Sequence, residues 1–249
     1  MPVCFGNISY FFNKTGLAVM ENNLLKTAGP MLEKVNRRYF LRSAGVAAAT
    51  GAIIMSCTLE DHVPQGEVVD LGTGDIGILN YAYALEQLES AFYAQVIATP
   101  YAGMTDEEKS LLTDIAYHEI IHREFFKAAL GAAAIKGLTP NFSAINFSDR
   151  TSVLTTAKIF EDTGVAAYNG AGNLLMDANF LLTAGKIVSV EARHAAILTN
   201  MIKMYSADSV GADVIDNVNG LDLAKKPGMI LPAVQPFIQN KISGSGLPS

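Results

Sequence analysis

From about residue 75 onward, apolar residues recur at intervals of three and four, the period of an α-helix, and not at the interval of two that marks a half-buried strand. Four long segments carry the pattern. The first, 75–98, aligns Leu79, Ala82, Glu86, Glu89, Tyr93 and Val96 and stops at Thr99-Pro100. The second, 105–136, opens on Thr105 with Glu108 three residues later, the pattern of a capping box, and closes at Gly137. Its stripe is Leu111, Ile115, Glu119, His122, Phe126 and Ala129. The third, 148–171, takes Ser148 as its cap and aligns Leu154, Ala157, Glu161, Val165 and Tyr168. The fourth, 177–204, starts at Asp177 and aligns Ala184, Ile187, Glu191, His194, Leu198 and Met201. Residues 206–249 are rich in Gly, Pro and Asp and read as an irregular tail with one short helix near 230–240. The pattern predicts an all-α protein whose body, 75–205, is a four-helix bundle.

Each stripe should face the core, yet each has a carboxylate in its middle. An ionised carboxylate is too costly to bury alone; it takes up a proton, a cationic partner or a metal. The stripes contain no Lys or Arg. Two divalent cations would cancel four converging carboxylates, with neutral imidazoles completing the coordination.

The carboxylates also repeat. Glu86 precedes Tyr93 by seven residues, as Glu161 precedes Tyr168, and Glu119-x-x-His122 is matched by Glu191-x-x-His194. The first and third Glu are 75 residues apart, the second and fourth 72. Two helical hairpins thus each supply one Glu and then a Glu-x-x-His, whose members share a helix face. That ligand set is the one found in dinuclear carboxylate bundles.

On these motifs, residues 75–205 resemble the ferritin-like superfamily, in particular exported bacterial ferritin-like domain proteins related to desiccation-associated proteins. The resemblance implies two Fe ions, or Mn in their place. Glu86 and Glu161 would be single-carboxylate ligands, Glu119 and Glu191 would bridge, and His122 and His194 would each cap one ion. Tyr93 and Tyr168 would stand beside the cluster as hydrogen-bond or redox partners. Glu89 competes with Glu86 on the same face. The implied activity is oxidation of Fe(II) with O2 or peroxide, or peroxide disproportionation at manganese. The alternative is a non-catalytic bundle that protects the cell under stress or desiccation. A homodimer is the expected assembly. Gly164, Gly170 and Gly172 depart from a good helix interior, so the third helix is expected to bend or end early.

Two further motifs point elsewhere. His118-Glu119-x-x-His122 has the form of a zinc metallopeptidase signature, but Phe125 and Ala128 replace the Gly and His of one common continuation, and Glu86, Glu191 and His194 would go unexplained. Gly72-Thr73-Gly74-Asp75-Ile76-Gly77 follows a strand-like run with the form of a dinucleotide loop, yet no second strand comes after it. Residues 58–74 therefore read as a flexible tether, with Asp75 as a helix cap.

Composition changes the picture at the N-terminus. Residues 1–56 carry six Lys/Arg against two Asp/Glu, and residues 57–249 carry twelve against twenty-two. The acidic body excludes nucleic acid as a partner, because phosphate contacts need clustered Lys and Arg. Arg37-Arg38 followed by Phe40-Leu41 and the apolar run Ala44–Met55 resembles a twin-arginine export signal, and that run is too short to span a bilayer. Ile54-Met55-Ser56-Cys57 resembles a lipobox. Residues 1–57 are thus read as a leader, with Met20 and Met31 as alternative starts. The protein is expected to be exported, periplasmic or held on the membrane by lipid at Cys57.

Overall fold

The computed structural model describes residues 66–204 and 207–248. The expected leader, its Arg pair, Cys57 and the tether up to residue 65 lie outside those residues. Strand β1 spans Val68–Asp70, followed by helices α1 (Gly74–Ala98), α2 (Asp106–Leu130), α3 (Arg150–Gly172) and α4 (Ala178–Ile202). Beyond them come the short strands β2 (Ile215–Asp216) and β3 (Leu221–Asp222), helix α5 (Pro227–Val234) and strand β4 (Lys241–Ser243). The four long helices are those the 3.6-residue period predicts, and α1 packs on α2 as α3 packs on α4. No helix among the described residues is long and apolar enough to cross a membrane.

Local chemistry sets the ends. Thr105 accepts from the Glu108 amide and Glu108 returns a bond to the Thr105 amide, so the capping box is complete. Helix α2 ends seven residues before the expected Gly137, at Leu130, because Gly131 takes φ +53°. Helix α3 is capped by Asp149, which accepts from the Ser152 amide, and not by Ser148. Asp177 caps α4 through the Asn179 amide as expected. Asp75 does not cap α1. Its two oxygens accept from the Met176 and Asp177 amides at 2.8 Å each, tying the start of α1 to the start of α4.

The tether is corrected at its distal end. β1 pairs in parallel with β4, Val69 opposite Ile242, and Val69 and Leu71 are buried. The glycine-rich turn that follows has Gly72 at φ +87° and Gly74 at φ +57°, but β1 and β4 form only a two-stranded sheet, so no dinucleotide fold surrounds it among the described residues. The tail is likewise part of the core: Ile230, Val234 and Ile238 pack into the same apolar cluster as Phe92 and Leu198.

Helix α3 runs through Gly164 and Gly170 and ends on the third of its glycines, Gly172. A Cβ at Gly170 would fall 2.0 Å from the Lys225 carbonyl oxygen, while the Lys225 amide donates to the Ala166 oxygen. The glycine is where the tail crosses the helix. Gly170→Ala is therefore expected to destabilise the fold by more than about 2 kcal/mol, since backbone must move to admit the methyl. A lower urea midpoint at unchanged m-value would register it.

Candidate metal centre

The Glu and His side chains of the four stripes meet between the helices. Glu86, Glu119, Glu161 and Glu191 have no exposed surface, and His122 and His194 are nearly as buried. They form two groups whose potential ligand atoms lie within 4.8 Å of one another: Glu86, Glu119, His122 and Glu191 in one, Glu119, Glu161, Glu191 and His194 in the other. Glu119 and Glu191 belong to both. Every residue that the repeated motifs single out as a ligand is thus brought to one place, with one Glu-x-x-His on α2 and the other on α4.

The imidazoles face the cluster through Nδ1. His122 Nδ1 lies 2.8 Å from Glu191 Oε1 and 3.6 Å from both Glu86 Oε2 and Glu119 Oε2. His194 Nδ1 lies 3.0 Å from Glu119 Oε1 and 3.2 Å from Glu161 Oε2. Proximity is not matched by hydrogen bonding. Glu86 Oε2, both oxygens of Glu119, both of Glu191 and His122 Nδ1 are buried without a hydrogen-bond partner. The short His122–Glu191 contact is out of line for an N–H···O bond, so these lone pairs point at shared space and not at one another.

The tyrosines supply a crossed pair of hydrogen bonds. Tyr93 on α1 donates to Glu161 Oε1 on α3 at 2.5 Å, and Tyr168 on α3 donates to Glu86 Oε1 on α1. Each phenol fixes one carboxylate oxygen and leaves the other facing the imidazoles. Burial first, and then the neighbouring carboxylates, hold both phenols well above the ordinary tyrosine range, so they remain donors.

Electrostatics carry the mark of crowded acids. Burial pushes the Glu86 carboxyl up to about 8, partly offset by His122, and holds Glu161 well above the carboxylate range. Glu191 goes the other way, down to about 2, because both imidazoles oppose the effect of its burial. Burial alone would lower the two histidines; the facing carboxylates more than reverse it, raising His194 to about 12 and His122 further. Protons occupy the cluster where cations could.

His118 does not join His122 in a zinc site. It is exposed, its Nδ1 is 2.9 Å from His194 Nε2, and the two rings stack at 8°. The metallopeptidase geometry is therefore absent among the described residues. Spacing gave no sign of this inter-helix contact, because it joins positions 76 residues apart. Glu89 is buried but stands outside both ligand groups, whereas Glu86 belongs to one of them.

A family model described as a ferritin-like domain matches residues 74–204. No curated protein matches the chain.

Proposed function

The chain belongs to the ferritin-like domain family, and on that premise we propose that it is a dinuclear metal protein that oxidises Fe(II) with O2 or peroxide. The observation that carries the reading is the set of six buried, unpartnered ligand atoms on Glu86, Glu119, Glu191 and His122, in the midst of four carboxylates and two imidazoles. Leaving such atoms unsatisfied costs several kcal/mol in total. The donor set, carboxylate oxygen with imidazole nitrogen, suits iron and manganese and disfavours ions that seek thiolates.

Glu86 and His122 would hold one ion, Glu161 and His194 the other, with Glu119 and Glu191 shared. Iron in that place supplies the electrons that reduce the oxidant. The chain does the rest. Tyr93 and Tyr168 orient Glu161 and Glu86 by donating to one oxygen of each. Phe92 and Tyr93 lie in one apolar cluster, Phe126 and Tyr168 in the other, so water is excluded around both tyrosines. An apolar cleft lined by Ile78, Leu79, Phe126, Phe180 and Tyr168 suits a small apolar oxidant such as O2. Export through the Arg37-Arg38 leader and anchoring at Cys57 belong to the same proposal, which sets the protein in the cell envelope.

The test is stopped-flow absorbance and oxygen consumption after anaerobic Fe(II) loading. Oxidation of bound Fe(II) at least about 100-fold faster than the free ion in buffer supports the reading. Bound iron that oxidises no faster than the free ion would leave a metal-binding bundle without turnover.

A further inference from the structure

The two halves of the bundle are related position by position, with Glu86, Tyr93 and Glu89 of α1 matching Glu161, Tyr168 and Gly164 of α3 at a constant offset of 75. The last pair breaks the repeat. Across the interface the same residues face each other in antiparallel register: Tyr93 against Glu161, Glu86 against Tyr168 and, between them, Glu89 against Gly164. Positions 89 and 164 therefore fall on the local twofold axis of the cluster, where one side chain of any length leaves no room for its counterpart. Glu89 takes that place. Its Oε1 is 3.2 Å from the point a Cβ of residue 164 would occupy, and only 4% of the residue is exposed.

We propose that Glu89 is a seventh protein ligand of the centre, a third carboxylate shared by both ion positions, held in reserve against Gly164. The inference rests on the dinuclear reading and goes beyond its six residues. The charges that act on Glu89 are those of Glu161, Glu119, Glu191 and Glu86, the whole carboxylate set, as its place on the axis requires. Burial, and then those charges, hold its pKa well above the carboxylate range. Its oxygens stand outside the two tight ligand groups, so engagement means rotation of the side chain off the Gly164 backbone. A flexible Glu at a position opposite glycine can do this without moving either helix. The six-residue set already balances two divalent ions; a further carboxylate adds a donor and a negative charge, which tightens binding.

Cobalt(II) titration of the metal-free full chain, followed by calorimetry and visible absorption, tests it. Glu89→Gln keeps the shape and removes the charged donor, and its far-ultraviolet circular dichroism should match the parent. The expected result is Co(II) affinity lower by about 10- to 100-fold, the range for losing a partner of a metal site, with stronger d–d absorption per bound ion as the coordination number falls. Unchanged affinity with an unchanged spectrum overturns the role of Glu89 while leaving the dinuclear reading intact. A parent chain that takes up no Co(II) overturns both.

Discussion

Replacing Glu119 with alanine is expected to empty both metal positions at once. Glu119 belongs to both ligand groups, and neither of its buried oxygens has a hydrogen-bond partner in the protein. Removing it takes a donor from each ion and leaves His194 Nδ1 without its nearest carboxylate, at 3.0 Å. Elemental analysis of the parent chain should give about two Fe or Mn per chain, as in other bundles with this ligand set. Glu119→Ala should fall to near zero after the same dialysis, a loss of affinity above about 100-fold. Glu191→Ala should behave alike, being the other shared carboxylate. Glu86→Ala and Glu161→Ala should differ, each removing a ligand from one group only, so about one ion should remain. Equal loss in all four variants would contradict the division into shared and single ligands. One zinc per chain, retained in Glu191→Ala, would contradict the centre altogether.

The repeated ligand pattern was legible because helix geometry is nearly independent of context. A Glu-x-x-His puts both groups on one face of any helix, so the two motifs and the single Glu on α1 and α3 could be placed before packing was known. The carboxylates at the centre of apolar stripes were the signal, since nothing else in those stripes could neutralise them. What was not legible depended on contacts distant in sequence. β1 reads as a polar tether because its partner, β4, comes more than 170 residues later. Asp75 looks like a cap for its own helix, yet its acceptors serve the amides of Met176 and Asp177, just before α4. Helix α2 stops at Gly131 although Ala132, Ala133 and Ala134 favour helix, because a glycine with φ +53° ends the backbone path that side-chain propensity would continue. The α3 glycines look like defects until the tail backbone at Lys225 and the Glu89 carboxylate are seen to occupy the space they leave. Only the offset of 75 residues between the hairpins links Glu89 to Gly164 in the sequence.

Metal removal should make stability fall as pH rises toward 8. In the metal-free chain Glu86 carries a folded-state pKa of about 8 because of burial, with His122 opposing, against an ordinary value of 4.5. Between those values the folded state holds a proton that the unfolded chain has released. This contribution is fully present below pH 4.5 and is lost as pH rises toward 8; Glu161, raised for the same reason, adds to the loss. The histidines act in the same direction. Burial is outweighed by their carboxylate neighbours, and the stability that His194 contributes below pH 6.5 disappears as pH rises through about 12. Glu191, lowered to about 2, contributes above 4.5 and loses its share only in acid, so it does not alter the slope near neutrality. The metal-free chain should therefore lose roughly 1.4 kcal/mol of stability per pH unit for each retained proton between pH 6 and pH 8, and its melting temperature should fall with it. Ions take the place of those protons when they bind, so affinity climbs with pH. At about 1,000 times the dissociation constant the bound ion adds about 4 kcal/mol, which for a chain of this size raises the melting temperature by roughly 8–16 °C. Calorimetric melts with chelator and with saturating Mn(II) should diverge steadily between pH 6 and 8. Parallel curves would mean that the carboxylates keep their protons in both states and that no cation enters between the helices.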